Sequence, residues 1–299
     1  MFANPIHIQI KYQIKRQLKI KSSERLNLIV SFIIAPLLSF LSAFIFRSDV
    51  DLVLNQSYPN YLFFMIISGV FFGLIGSVFE IIKDRSMVQR EQLGGVTIFS
   101  YYISKYVVLS LFGLIQTILY SLIGMILLNI PWALVIFNSI IMFLIVVVSI
   151  SFGLFVSSLS RTNMIASNLI PILIIPQILL GGMIPYNLMD KSIYMYETNY
   201  DKEPPIAKLM PVKYAYEAVI TGNVVFTSGN KEINDQISQM VDFLQEDQFM
   251  SIDKNSILSN LPYAFCSKTW FLDIIIIIGY IVVTFVLGYI IFYRRIFNA

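Results

Sequence analysis

The sequence predicts an all-α polytopic membrane protein with six transmembrane helices, an N-terminal interfacial helix and a large external loop between the fifth and sixth helices. Three observations carry that expectation. Mean hydropathy is +0.75, and 57% of the 299 residues are hydrophobic against 13% charged, more apolar surface than one water-soluble core of this length can hide. Six apolar runs reach the ~20 helical residues needed to cross ~30 Å of hydrocarbon. Lys and Arg gather in only some of the connections between them, as they do when a chain is threaded with fixed topology.

In chain order, residues 1–25 carry Ile10, Ile14 and Leu18 at every fourth position with Lys11, Lys15 and Lys19 beside them. That is the pattern of a helix lying in the headgroup plane, although the same charges also serve simply to anchor topology. The spans follow at Leu26–Phe46, Tyr61–Ile82, Tyr106–Leu128, Trp132–Leu159, Met164–Pro185 and Leu272–Tyr293. Residues 26–185 thus hold five spans, and 272–299 the sixth with its tail. The turn Asn129–Pro131 is so short that the third and fourth spans form a hairpin. Lys and Arg crowd the first tail, the segment 83–105, Arg161 and the terminal Arg294 and Arg295, which places those segments and both termini in the cytoplasm of a cell-membrane protein. Residues 186–271 then fall outside; their seven lysines do not object, because long loops translocate largely regardless of charge. In that loop Pro204-Pro205 starts an amphipathic stretch, Ile206 to Ile220, that Pro211 breaks. Ile233, Ile237, Met240, Val241 and Leu244 give a soluble helix face.

Several function classes drop out. A net charge of +3 and a pI near 8.8 offer nucleic acid little. One cysteine, Cys266, and one histidine, His7, exclude a disulfide framework and a multi-cysteine metal site; Cys266 is open to bridging a counterpart across a dimer axis or to remaining a thiol. There is no short apolar core ending in a cleavage site, so no removable signal peptide is expected. The acids within the runs, Glu80 and Asp273, lie near span ends, so the mid-depth relays of ion-driven transporters and the nucleophile-base pairs of intramembrane enzymes are missing. We expect no catalytic residue, metal or cofactor in the chain.

Small and polar residues show where helices meet. Gly69, Gly73 and Ser77 repeat every four residues on the second span, as do Ser149, Gly153 and Ser157 on the fourth; such stripes serve close packing or line a path. Gln116, Asn138, Asn168 and Gln177 need partners, since an unpaired amide in hydrocarbon costs several kcal/mol. Gln177 follows Pro171 and Pro176 and precedes Gly181 and Gly182, so the outer half of that helix is expected to be kinked and mobile.

The densest charge lies in "EIIKDRSMVQREQLGGVTIFSYYISK", Glu80 to Lys105. Gly94 and Gly95 end one helix there, because glycine takes the left-handed geometry cheaply, and Thr97 caps the next, which runs on into the third span. A short charged helix under the membrane suits force transmission from a soluble partner; a solvated loop that anchors topology is the bland alternative. Glu80 is expected to pair with a base such as Arg85 or Lys105.

These residues resemble something. Glu80, Lys83-Asp84-Arg85, Arg90-Glu91, Gly94 or Gly95, Tyr101 or Tyr102 and Ser104-Lys105 look like the segment joining the second and third helices in type-2 ABC exporter permeases of the ABCG (white) class, closest to bacterial relatives. The resemblance continues in "NLIVSFIIAPLLSF", "FGLFVSSLSRTNMIASNLIPILIIPQILLGG" and "MPVKYAYEAVI". It implies a homo- or heterodimer around a central path, a connecting helix before the first span, and a coupling helix (Arg85, Gln89, Arg90, Glu91, Gly94, Gly95) touching an ABC ATPase. Carried onto this sequence, the resemblance implies path-lining positions at Phe71, Phe72 and Ile75 and a gate at Ile178, Leu179 and Leu180; Gln177 is expected on the same path, and Glu80 and Lys105 are expected to form a polar relay. An apolar path favours a lipid, a lipid-linked glycan or a small apolar compound. No G-x-x-x-x-G-K-[ST] phosphate loop occurs, so ATP and Mg belong on a separate or fused ATPase; Met1 favours the separate one. A membrane scaffold that recruits a soluble partner and moves nothing is the alternative.

Overall fold

A computed structural model of the chain describes residues 5–47, 57–183, 206–228 and 269–297. Among them the elements are all helical: α1 (Ile6–Ser23), α2 (Arg25–Ile45), α3 (Tyr58–Ser77), α4 (Glu80–Leu93), α5 (Ile98–Leu128), α6 (Trp132–Leu159), α7 (Asn163–Leu180), a 3-10 turn (Ala207–Leu209), α8 (Pro211–Ser228) and α9 (Thr269–Phe297). Six helices among the described residues are long and apolar enough to cross a membrane. The fold is that of an all-α polytopic membrane protein.

The central packing is α3 on α6, and the two small-residue stripes are what permit it. A Cβ on Gly73 would stand 2.5 Å from both the Ser149 Cβ and the Val146 carbonyl oxygen. One on Gly69 would meet Ile145 Cγ2 at 3.0 Å, and one on Gly153 would strike the Ser77 hydroxyl. Without side chains at these points the backbones approach until Ile66, Ile141, Met142 and Ile145, all fully buried, fill the seam. The stripes therefore serve packing within the chain.

The second span ends earlier than the hydropathy suggests. Ser77 turns its hydroxyl back to the Gly73 carbonyl at 2.6 Å, a bond that bends helices, and the chain turns at Val78 and Phe79 before α4 begins at Glu80. At the start of α4 the amides of Ile81 and Ile82 donate to the Ser157 hydroxyl of α6, at 3.0 and 3.2 Å. A side chain from another helix thus supplies the N-terminal partners that a new helix needs. Glu80 consequently lies beyond the span, on α4.

Polar residues inside the bundle find partners. Gln116 donates to the Ser31 carbonyl at 2.8 Å, and Ser39 donates to the Tyr120 carbonyl at 2.6 Å, tying α5 to α2. Tyr58, Asn138 and Asn223 close a buried ring: Asn138 Nδ2 to the Tyr58 hydroxyl at 3.2 Å, that hydroxyl to Asn223 Oδ1 at 3.2 Å, and Asn223 Nδ2 to Asn138 Oδ1 at 2.7 Å. Asn168 is exposed. Pro211, expected to break an amphipathic stretch, instead begins α8, where a missing N–H costs nothing. Ala215, Ala218 and Val219 of α8 are fully buried in the same core as α3 and α6. The stretch Ile233 to Leu244, Cys266 and the end of the expected fifth span at Pro185 lie outside the described residues.

The α3–α6 seam makes a checkable pair. Gly73→Ala is expected to destabilise the protein by ~1–3 kcal/mol through overpacking. Gly76→Ala, whose new Cβ would meet nothing within 4 Å, leaves it unchanged or slightly raised. Thermal unfolding of the purified protein in detergent measures both.

Candidate functional site

The charged helix α4 is held from three sides. Its first residue, Glu80, is buried and accepts from Lys21 of α1 at 2.6 Å and from Lys105 of α5 at 2.7 Å. Lys105 also reaches Asp84 at 2.9 Å, and the Tyr101 hydroxyl donates to the same carboxylate at 2.9 Å. Two turns on, Glu91 takes an ion pair from Arg16 and a hydrogen bond from Gln13 at 3.1 Å. Burial alone would raise the Glu80 carboxyl, but the Lys105 and Lys21 ammoniums outweigh it and hold the group down to about 2. The carboxylate is therefore charged in ordinary conditions, and the expected pairing of Glu80 with Lys105 is a direct contact.

Arg85, the other base suggested for Glu80, points elsewhere. Its Nη2 donates to the Ser160 carbonyl at 2.8 Å. Arg295 of α9 donates through Nη1 to the carbonyls of Ser158 at 2.7 Å, Leu159 and Ser160 at 3.2 Å. Two guanidiniums so satisfy the last carbonyls of α6, where the helix dipole also favours cations. Burial and then the nearby Arg295 lower the Arg85 pKa from its ordinary value.

At its far end α4 stops as the glycine pair requires: Gly94 is its C-cap and Gly95 takes φ 89°, the left-handed region. Thr97 caps α5 by accepting from the Ser100 amide. Gln9 of α1 accepts from the Thr97 amide at 3.0 Å and from the Ser100 hydroxyl at 3.0 Å. The face of α1 turned to the protein is therefore Gln9, Gln13 and Gln17, with Gln17 only 3% exposed, while Ile10, Ile14 and Leu18 are half-buried. The lysine-isoleucine pattern gave the helix correctly, but the glutamines at every fourth position carried the unread signal.

What α4 leaves free is narrower than the expected contact list. Arg90 is exposed and makes no hydrogen bond or ion pair among the described residues, Gln89 is half-buried, and Leu93 is 91% exposed. Glu91 and Arg85 are engaged inside the chain. Of the expected path residues, Phe72 is buried, edge-on to Tyr120 with centroids 6.3 Å apart. Phe71 and Ile75 share a different face, four residues apart, with Ile75 exposed. Gln177 accepts from the Val212 amide at 3.2 Å and so fastens α7 to the start of α8. Of the expected gate, Leu179 is exposed, Leu180 is half-buried, and Ile178 packs against the core.

Six membrane-length helices among the described residues, with a short charged helix locked to two of them beyond the apolar core, define a multi-pass membrane domain. Residues 8–223 match the ABC-2 type transporter family, and the chain belongs to it. It is a permease domain of an ABC transporter, the membrane part and not itself catalytic. Among curated proteins no relative matches the chain.

Removing the central carboxylate gives the site's test. Glu80→Gln leaves the Lys105 ammonium buried beside Asp84 alone and is expected to cost ~3–5 kcal/mol. Lys21→Gln costs less, because the Lys21 side chain is 26% exposed. Since the folded carboxyl lies at about 2, below the unfolded value near 4.3, its contribution is fully present above that unfolded value and is lost as pH falls toward 2. The gap in melting temperature between the native protein and Glu80→Gln should hold from pH ~7 to ~5 and narrow below pH ~4.

Proposed function

We propose that the chain is the permease subunit of an ATP-binding-cassette exporter, in which a second protomer completes the path for a hydrophobic or amphipathic cargo. ATP is hydrolysed, with Mg, on a separate or fused ATPase that docks on α4. The protein sits in the cell membrane with both termini cytoplasmic, the side on which ATP is found. The single observation that carries this reading is the division of α4: Glu80, Asp84, Arg85 and Glu91 are spent on holding it to α1, α5 and α6, while Arg90 and Leu93 stand free at its end. A push on the free end is passed to the bundle through the bound ones. The face of Phe71 and Ile75 on α3, together with Leu179 on α7, supplies apolar wall for the cargo.

Arg90→Glu combined with Leu93→Asp should weaken co-purification of the partner ATPase by about tenfold or more, as expected for losing a central apolar anchor and a charge, with the melting temperature of the permease unchanged. Glu91→Gln should instead lower transport per ATP hydrolysed, because it removes one of the two ion pairs that tie α4 to α1. Full ATPase association and full transport in both variants would remove α4 from the coupling role. ATP hydrolysis in the reconstituted complex that no apolar cargo stimulates would favour the scaffold reading.

A further inference from the structure

Around the C-terminal end of α6 stand three guanidiniums, and none of them has a carboxylate partner among the described residues. Arg85 of α4 and Arg295 of α9 both donate to one oxygen, the Ser160 carbonyl, at 2.8 and 3.2 Å, which brings two like charges to a single atom. Arg161, the next residue, is exposed and makes no hydrogen bond or ion pair among the described residues. Every ion pair among the described residues uses Arg16, Lys21 or Lys105, so the acids of the charged end are committed elsewhere. The Ser160 hydroxyl, in a residue only 1% exposed, has no hydrogen-bond partner among the described residues. A guanidinium carries five N–H donors, and the carbonyls of α6 occupy Nη2 of Arg85 and Nη1 of Arg295 only. The remaining donors are uncommitted among the described residues, and the three guanidiniums stand close enough for Arg295 to act on Arg85 and Arg161 on Arg295.

The surroundings say what kind of anion fits. Leu159, Met164, Ile165 and Tyr293 flank the arginines and are 51%, 77%, 47% and 44% exposed, large apolar surface at the ends of membrane-length helices. A free anion would gain nothing from it, whereas a phosphate that carries acyl chains would cover it.

We propose that Arg85, Arg161 and Arg295 bind the phosphate of an anionic phospholipid headgroup, with the lipid's chains lying along the exposed residues of α6, α7 and α9. The net charge of the site selects phosphatidylglycerol over the zwitterionic phosphatidylcholine, whose ammonium the three guanidiniums repel. The site does not depend on the ATPase reading of α4, because neither Arg161 nor Arg295 belongs to the free end of that helix.

The test uses the full chain and Arg161→Gln, which removes a charge without breaking any hydrogen bond among the described residues. Arg47→Gln, an exposed arginine just beyond the end of α2, is the control. Retained lipid is counted by native mass spectrometry on titration with phosphatidylglycerol, phosphatidylcholine or inorganic phosphate, and melting temperature is followed in parallel. The native protein and Arg47→Gln should hold one phosphatidylglycerol more tightly than phosphatidylcholine, with a rise in melting temperature. Arg161→Gln should lose about tenfold in that affinity, the usual worth of one charge-assisted contact to phosphate. Equal phosphatidylglycerol binding by Arg161→Gln and the native protein would overturn the site. So would an equal rise in melting temperature with inorganic phosphate alone, which would make it a free-anion site. Loss of ATPase association in Arg161→Gln with lipid binding intact would assign the arginines to the partner protein instead.

Discussion

Glu80 stays ionised where burial works against it, and the helices around it are arranged so that two ammoniums make this possible. Lys21 comes from α1, Lys105 from α5, and the carboxylate itself from the first turn of α4. A buried ion pair contributes little net stability, because desolvation offsets most of the attraction, yet breaking one leaves an uncompensated charge. Its effect is therefore on arrangement: the three helices cannot separate at this point without exposing or stranding a charge. The neighbouring contacts repeat the pattern, with Glu91 between Gln13 and Arg16 and Asp84 between Lys105 and Tyr101. All these locks lie beyond Ser77, where α3 ends, because only near water are such charges tolerated at modest cost.

The apolar part of the bundle is held by different physics. Between α3 and α6 there is no charge, only backbones brought close by Gly69, Gly73 and Gly153 and sealed by fully buried aliphatic side chains. Contact in hydrocarbon relies on such packing, since lipid tails are as apolar as leucine. The two regimes meet at Ser157, one turn beyond Gly153 on α6, whose hydroxyl receives the first amides of α4. A displacement of α4 therefore reaches α6 by a hydrogen bond and α5 by an ion pair, with no flexible connection between.

Most of the fold was legible in hydropathy. Trp132–Leu159 was read from the sequence with the boundaries that α6 has, because a proline before it and a polar residue after it bound an uninterrupted apolar run. The Gly94-Gly95 stop and the Thr97 cap were legible for the same kind of reason, local backbone chemistry that needs no distant partner. The end of the second span was not: Val78, Phe79, Ile81 and Ile82 are apolar, and only the Ser157 hydroxyl from elsewhere in the chain makes a new helix begin at Glu80. The partners of α4 were half legible. Lys105 is about seven turns of sequence from Glu80 and on the adjoining helix, while Arg16, Lys21 and Arg295 are joined to the site only by tertiary packing. The burial of Phe72 against Tyr120 was not legible, for a simpler reason. In a span that is apolar all round, period alone does not say which face looks inward.

Arg85 stands at the junction of these systems. It belongs to α4, but its hydrogen bond is to the last turn of α6, on the same oxygen that Arg295 of α9 uses. If α4 shifts relative to α6, either that bond breaks and a guanidinium is released among like charges, or α6 and α9 move with it. An anion held by Arg85, Arg161 and Arg295 makes the first course costlier, because the released cation would leave both the carbonyl and the phosphate. By linkage, whatever moves α4 must alter the affinity for that anion to the same degree that the anion resists the movement. If the proposed anion is a lipid headgroup and α4 carries the proposed coupling, lipid composition and the movement of α4 become two readings of one equilibrium, joined at Arg85.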